Sequence, residues 1–591
     1  MKQKQSRWQH FTEYLRQLEK TYRLFGAAAP QAAGWLMVLL PLQAVLPLVA
    51  VQAGQQIINQ LVQRHPIWAS FAIWLVAMAV TQILPTITLF VQGILTDKLT
   101  GFLNLKLMGK SKELKSLNLF DNSKYFDDLQ MLKSDDSWRP VNLIVFGLSI
   151  VQQSIMLVVM FVMLARYNWW LTLALIAVLV PQSISYYRIQ QDAFETMVTR
   201  SKNARKLNYY SSLLLDRLDA KEVRLFNMFT PIITKYRRLF NQTQSQVNQV
   251  RRKQALVGTS YLILVVAVTG YGFYWFITAV QTGTYQMGVL LLYITLMGYI
   301  SSSMAKLVED SSLLYDSLLW IEKFYHFIDF QDDLHDGRQP FPIDFQTVSV
   351  QNVSFHYPFS DQLVLKHVNF TVQRGEKIAI VGENGSGKST LVKLLLRFYD
   401  PSAGQIQLDQ QNVQTIEINA YRQAFSATFQ DFSKFKLSLG ENVAAAHAYD
   451  PTYVKNLLAQ VGLASYLQQK NVQLTTMMSK EFAHGTDASG GQWQRIALAR
   501  DLYADGQIEF LDEPTAALDP RSEQEIYQTF LQQNRHKTVF FVTHRLSAVQ
   551  YADRVLMLQN GRVTGFASHA ELLQTNPEYA ELYNLQKAAY Q

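Results

Sequence analysis

Hydrophobic positions divide this chain into two unlike parts. Six long apolar stretches recur between residues 31 and 305, at about 31–56, 66–94, 140–165, 168–188, 255–281 and 287–305. None carries a Lys, Arg, Asp or Glu before the flanking Arg166 and Arg188 are reached. A helix needs about 20 mostly apolar residues to cross the hydrocarbon core of a bilayer. Several stretches exceed that length without a charge, so they read as membrane spans and not as core helices of a soluble protein. From residue 340 onward the composition is that of a soluble α/β domain. The predicted fold is therefore multidomain. An amphipathic segment over 1–30 precedes an all-α six-helix transmembrane domain over 31–325, with long loops at about 95–139 and 189–254. A linker over 326–345 leads to an α/β domain over 346–591.

The charge pattern orients the spans. Basic residues crowd the N-terminal segment and both long loops, whereas the short connections near 57–65 and 282–286 hold only Arg64. Basic loops stay in the cytoplasm, which puts both termini, both long loops and the α/β domain inside. Trp169 and Trp170, beside a short outer turn, suit a membrane–water interface. The net charge of +8 and pI of about 9.1 then reflect topology and do not argue for a nucleic-acid partner. In segment 1–30, Arg16, Lys20 and Arg23 alternate with Tyr14, Leu15, Leu18, Tyr22 and Leu24, the pattern of a helix on the inner membrane surface or of an ordinary solvated one. The chain has no cysteine, which excludes disulfides and thiolate metal sites.

Chemistry concentrates in the α/β part. Gly382-Glu383-Asn384-Gly385-Ser386-Gly387-Lys388-Ser389-Thr390 satisfies the P-loop pattern, between a strand-like run at 377–381 and a helix-like run at 391–396. That context points backbone N–H groups and a helix N-terminus at phosphates. Lys388 can reach the outer phosphates and Ser389 can hold Mg²⁺. Asp512 and Glu513 end the run Ile508-Glu509-Phe510-Leu511, so one carboxylate can hold the metal while the next positions the attacking water. Gln430, after another probable strand, can share the Mg²⁺ or orient water. His544 follows the apolar run 538–543 and so sits at a strand end, where open α/β sheets bind ligands. Tyr357, 25 residues before Gly382, is placed either to stack on an adenine ring or to fill the core.

Ala488-Ser489-Gly490-Gly491-Gln492 opens a helix between the P-loop and the acidic strand, and resembles the signature motif of ATP-binding-cassette (ABC) proteins. With Tyr357, Gln430, Asp512, Glu513, Ala516-Ala517-Leu518-Asp519 and His544 in family order, the resemblance spans the whole cassette. Six spans ahead of one cassette look like an exporter half-transporter. Segments 119–130 and 220–227 are similar to the family's inner loops, which dock on cassettes.

The resemblance implies ATP and Mg²⁺ as ligands, bound by two cassettes head to tail. Ser489, Gly490, Gly491 and Gln492 of one chain would then meet nucleotide held by the other, and Asp519 is implied as a further nucleotide-binding residue. It further implies alternating-access export of a drug-like molecule, peptide or lipid from a bacterial cell membrane. Most family members have Leu where this chain has Ala488. The chain reads as a homodimer, with a heterodimeric exporter, or an ATP-binding membrane sensor or immunity protein, as alternatives. Glutamines within the spans, among them Gln43, Gln55 and Gln182, either line a cavity or join helices.

Overall fold

The computed structural model describes residues 19–122, 129, 132, 138–194, 202–216, 219–513, 536–543 and 546–590. They form two compact units. The first takes in residues up to Ser111 and Asp127–Phe330, and the second takes in Lys112–Phe126 and Gln331–Gln591.

The first unit is helical. Its long helices are Pro30–Val62, Trp68–Glu113, Trp138–Tyr167, Trp169–Phe194, Phe229–Gln281 and Gly288–Ile328. Five carry stretches long and apolar enough to cross a membrane, and the fourth carries a shorter apolar stretch, Trp169–Ser185. Several outrun a bilayer. The 53 residues of Phe229–Gln281 rise about 80 Å at 1.5 Å per residue, so the polar half continues beyond the apolar one. Pro30 opens the first helix, where its missing N–H costs nothing.

Small residues and shared polar groups bring these helices together. A Cβ at Gly288 would lie 2.2 Å from Gln55 O, and the Gly288 N–H donates to Asn59 Oδ1 at 2.7 Å. Met160, Leu164, Phe276, Leu292 and Leu296 are buried between the helices. Met37 and Phe90 stand outward, 75% and 70% exposed, as a lipid-facing surface requires. The glutamines divide between their two readings. Gln43 donates to Thr88, and Gln55 accepts from the Tyr167 hydroxyl at 3.1 Å, so both join helices. Gln182 lines a cavity of about 400 Å³ with Gln254, Ser301 and Glu309.

The second unit is built on two sheets. Strands β1 (Thr347–Phe355), β2 (Leu365–Gln373), β4 (Ala403–Leu408) and β5 (Gln411–Asn412) pair antiparallel in the order β2-β1-β4-β5. The larger sheet runs β10-β9-β3-β8-β7-β6, from β3 (Lys377–Val381), β6 (Phe425–Thr428), β7 (Ile508–Asp512), β8 (Thr538–Val542), β9 (Arg554–Gln559) and β10 (Arg562–Ala567). Strands β6, β7, β8, β3 and β9 are parallel. Buried on both faces, these strands read as continuous apolar runs such as Thr538-Val539-Phe540-Phe541-Val542, as parallel strands do. Their C-terminal ends share one edge, and the chemistry collects there.

Candidate nucleotide site

Strand β3 lies between β8 and β9 and delivers the P-loop to that edge. The loop's shape requires glycine where the motif has it. Gly387 has φ +105°, and a Cβ there would lie 2.7 Å from Leu365 Cδ2. At Gly382 a Cβ would lie 2.2 Å from the Leu558 carbonyl oxygen. The Lys388 Nζ folds back over the loop, donating to the carbonyls of Gly382 at 2.8 Å and Glu383 at 2.9 Å. Burial lowers the Lys388 pKa, against the opposing pull of Glu513 and Asp512. Ser386 Oγ is buried without a protein hydrogen-bond partner. The helix Lys388–Leu395 starts here and turns its N-terminus to a cavity of about 670 Å³. Asn384, Gly385, Gly387, Lys388, Ser389, Thr390, Gln430, Asp512 and Glu513 all line it. An anion nest, a lysine, an unsatisfied hydroxyl and a pair of carboxylates are the groups a nucleoside triphosphate with a divalent cation needs.

The acidic wall is electrostatically loaded. Asp512 is pushed up to about 6, first by burial and then by the neighbouring charges of Glu513 and Asp431, with Lys388 pulling the other way. Glu513 occupies left-handed backbone space, φ +47°, and its N–H still reaches the Val542 carbonyl at 3.1 Å. A non-glycine residue held there stores on the order of 1 kcal/mol, a feature that clusters at active sites. Gln430 Nε2 donates to Glu513 Oε2 at 2.9 Å, and Gln494 Nε2 donates to the Glu513 backbone oxygen at 3.4 Å. A carboxylate so oriented, beside the phosphate cradle, can take a proton from water.

Tyr357 stands beside this cavity and is not among its lining residues. Its hydroxyl lies 3.1 Å from Thr390 Oγ1, and its ring packs edge-on to Phe355 and Tyr399. The signature motif is elsewhere in the unit. Ser489 caps the helix Gly490–Ala504 in a reciprocal box: Ser489 Oγ accepts from the Gln492 N–H, and Gln492 Oε1 accepts from the Ser489 N–H at 2.8 Å. Ser489 and Gly490 are exposed, and neither they nor Gly491 and Gln492 line the P-loop cavity. Ala488 packs against the cassette core. His544 and Asp519 lie outside the described residues, as does most of segment 119–130.

A family model described as "ABC transporter" matches residues 365–516, which hold the P-loop, the signature and the acidic strand end. The subtilin transport ATP-binding protein SpaT of Bacillus subtilis is 29% identical over 577 residues, covering 96% of this chain and 94% of that protein. The nisin transport ATP-binding protein NisT of Lactococcus lactis is 28% identical over the same extent. This chain is an ABC exporter half-transporter. The ATP-dependent lipid A-core flippase of Vibrio parahaemolyticus matches this transporter at 33% over 267 residues, 45% of each chain. In fold it matches a bacterial Atm1-family ABC exporter with ATP bound, at TM-score 0.80 and 21% identity, over 95% of this chain and 99% of that one. The expected order of helical domain and α/β cassette holds, and with it the expectation of an ATP-driven transporter.

One group inside the transporter's cassette escaped the motif reading. Asp501, on the helix Gly490–Ala504, is buried against Glu509, which lies on β7 three residues before Asp512. The signal was there: an acid inside the apolar run Ile508-Glu509-Phe510-Leu511 has no place in a buried strand unless partnered.

Proposed function

We propose that this chain pairs with a second copy in the bacterial cell membrane and uses ATP hydrolysis to export an amphipathic peptide. The observation that carries the ATPase half is the P-loop cavity, where Lys388, Ser389, Gln430, Asp512 and Glu513 converge. In this reading Lys388 and the loop amides hold the phosphates, and Ser389, Gln430 and Asp512 hold Mg²⁺. The metal, when bound, neutralises charge on the outer phosphates. Glu513, steadied by Gln430, accepts the proton of the attacking water. His544 and Asp519 would complete the site on the γ-phosphate side.

Pairing follows from what one chain lacks. Its signature serine is exposed and away from its own P-loop cavity, so a second cassette must bring Ser489 to the nucleotide. Leu225 and Phe226, at the end of the short helix Ala220–Leu225, are 77% and 67% exposed, as a docking segment for a partner cassette would be. The intact capping box at Ser489 favours a working signature despite Ala488, and hence a homodimer. A peptide cargo is favoured because the relatives matched along nearly the whole chain are named for subtilin and nisin transport, whereas the lipid A-core flippase matches less than half.

The test is Mg²⁺-ATP hydrolysis by this chain purified alone in lipid nanodiscs, with Glu513→Gln in parallel. The expected result is turnover by wild type, raised by amphipathic peptides and lost by about 100-fold or more in Glu513→Gln with ATP binding retained. Silence from a well-folded wild type would refute the homodimer, and normal turnover in Glu513→Gln would refute the base.

A further inference from the structure

The described residues 112–122 begin on the last turn of the helix Trp68–Glu113, yet they belong to the cassette's compact unit. Their anchoring is specific. The Asp332 carboxylate accepts the backbone N–H groups of Lys115 at 2.5 Å and Ser116 at 2.8 Å. Burial alone would raise the Asp332 pKa, but those hydrogen bonds outweigh it and hold the group below its ordinary value. Arg422 Nη2 donates to the Lys115 carbonyl at 2.7 Å, and the Leu117 N–H donates to the Phe398 carbonyl at 3.3 Å.

At the end of this segment, Asp121 makes two contacts that lead toward the nucleotide cavity. Its carboxylate accepts the hydroxyl of Tyr399 and lies 3.6 Å from Lys393 Nζ. Both partners then touch Tyr357. The Tyr399 ring, buried, meets the Tyr357 ring edge-on with centroids 5.5 Å apart. The Lys393 ammonium sits 5.6 Å from the Tyr357 ring centroid and 5.9 Å from that of Tyr399. Tyr357 in turn reaches Thr390, on the cavity wall, through its hydroxyl. An unbroken chain of contacts therefore runs from Asp121 to the P-loop helix. Its middle member is the aromatic that stands beside the phosphate cradle.

We propose that Asp121, Tyr399 and Lys393 are positioning residues that set the orientation of Tyr357, so that the state of segment 112–122 tunes the cassette's affinity for the adenine base of ATP. The inference rests on the ATP reading of the cavity and on the reading of Tyr357 as the ring on which the adenine stacks. Asp121→Asn removes the charge that holds Lys393, and Tyr399→Phe removes the donor to Asp121 while keeping the ring. In the first, Lys393 loses the charge that holds it over the Tyr357 ring; in the second, the ring that packs edge-on to Tyr357 loses its tether to Asp121. Lys393 and Asp121 are about one-third and two-fifths exposed, so solvent moderates the effect.

The measurement is ATP binding and steady-state KM and kcat of the full chain in nanodiscs, for Asp121→Asn, Tyr399→Phe and Tyr357→Ala singly and in pairs. Each single variant is expected to raise the KM for ATP about three- to tenfold with kcat within about twofold. A merely structural role would lower kcat as well. Combining Asp121→Asn with Tyr357→Ala is expected to add nothing beyond Tyr357→Ala, because the relay acts only through that ring. Additive effects in the pair, or an unchanged KM in both Asp121→Asn and Tyr399→Phe while wild type binds ATP normally, would overturn the relay alone. A folded wild type that binds no ATP would overturn the reading of the cavity and the relay with it.

Discussion

Replacing Asp501 by Asn should stabilise the cassette, and increasingly so as pH rises. Asp501 is 3% exposed and Glu509 is 1% exposed. Thr428 Oγ1 donates to Asp501 Oδ2 at 2.9 Å, and Lys537, the cation that acts on the pair, is itself engaged by Asp505 at 2.7 Å. Burial is the main cause that lifts Asp501 from 3.8 to about 7, while its hydrogen bonds from Thr428 and Glu509 oppose the rise. Burial and the Asp501 charge lift Glu509 well above the ordinary glutamate range. A carboxyl whose pKa is higher in the fold than in the unfolded chain contributes its full stability below about pH 4. That contribution is lost as pH climbs through the folded value, here near 7. At 1.36 kcal/mol per pH unit, the loss across that window is about 4 kcal/mol. The two acids share protons and their surroundings relax, so about half of it, some 2 kcal/mol, is a sober expectation for the gain at pH 8. For a domain of this size that is about 4–8 °C in Tm. Thermal unfolding of wild type and Asp501→Asn from pH 5 to pH 9, followed by tryptophan fluorescence, reads the difference. The curves should separate progressively between pH 5 and pH 8, with the variant higher. Parallel curves, or a variant that is less stable at pH 8, would refute the buried-pair argument.

Two further outcomes test the site. Lys388→Ala should weaken ATP binding by at least about tenfold, measured with a fluorescent nucleotide, because the only long cation lining the phosphate cavity among the described residues is removed. Ser489→Ala removes the acceptor for the Gln492 N–H and should cost about 1 kcal/mol in cassette stability. It should slow ATP turnover while leaving the affinity of the chain's own P-loop nearly unchanged, a split that equilibrium binding and steady-state hydrolysis together resolve.

What could be read from the sequence and what could not divide along a physical line. Motifs whose chemistry depends on local backbone were legible. A phosphate nest needs glycine at positions such as Gly385 and Gly387, where φ is +81° and +105°, so the loop's function is written in contiguous residues. The apolar stretches were legible for the same reason, since a span is a local property of about 20 residues. Their helices were harder to bound. Phe229–Gln281 and Trp68–Glu113 continue far past the apolar part, where nothing but helical periodicity marks them. Contacts between distant residues left no trace at all. Asp121 and Tyr399 are 278 positions apart, and neither residue type is unusual where it stands. The buried acids fall between these cases. Glu509 is conspicuous in its strand, but only the parallel register of β6 and β7 and the packing of Gly490–Ala504 say that Ser426 stands opposite it and that Asp501 is the acid it meets. A carboxylate in a strand core is thus a legible anomaly whose resolution is tertiary. Its proximity to Asp512 makes the same strand carry two opposite demands. At its end Asp512 and Glu513 stand together in the proposed site, one to hold a cation and the other to take a proton, and in its interior Glu509 is tolerable beside Asp501 of the neighbouring helix only while the pair keeps a proton.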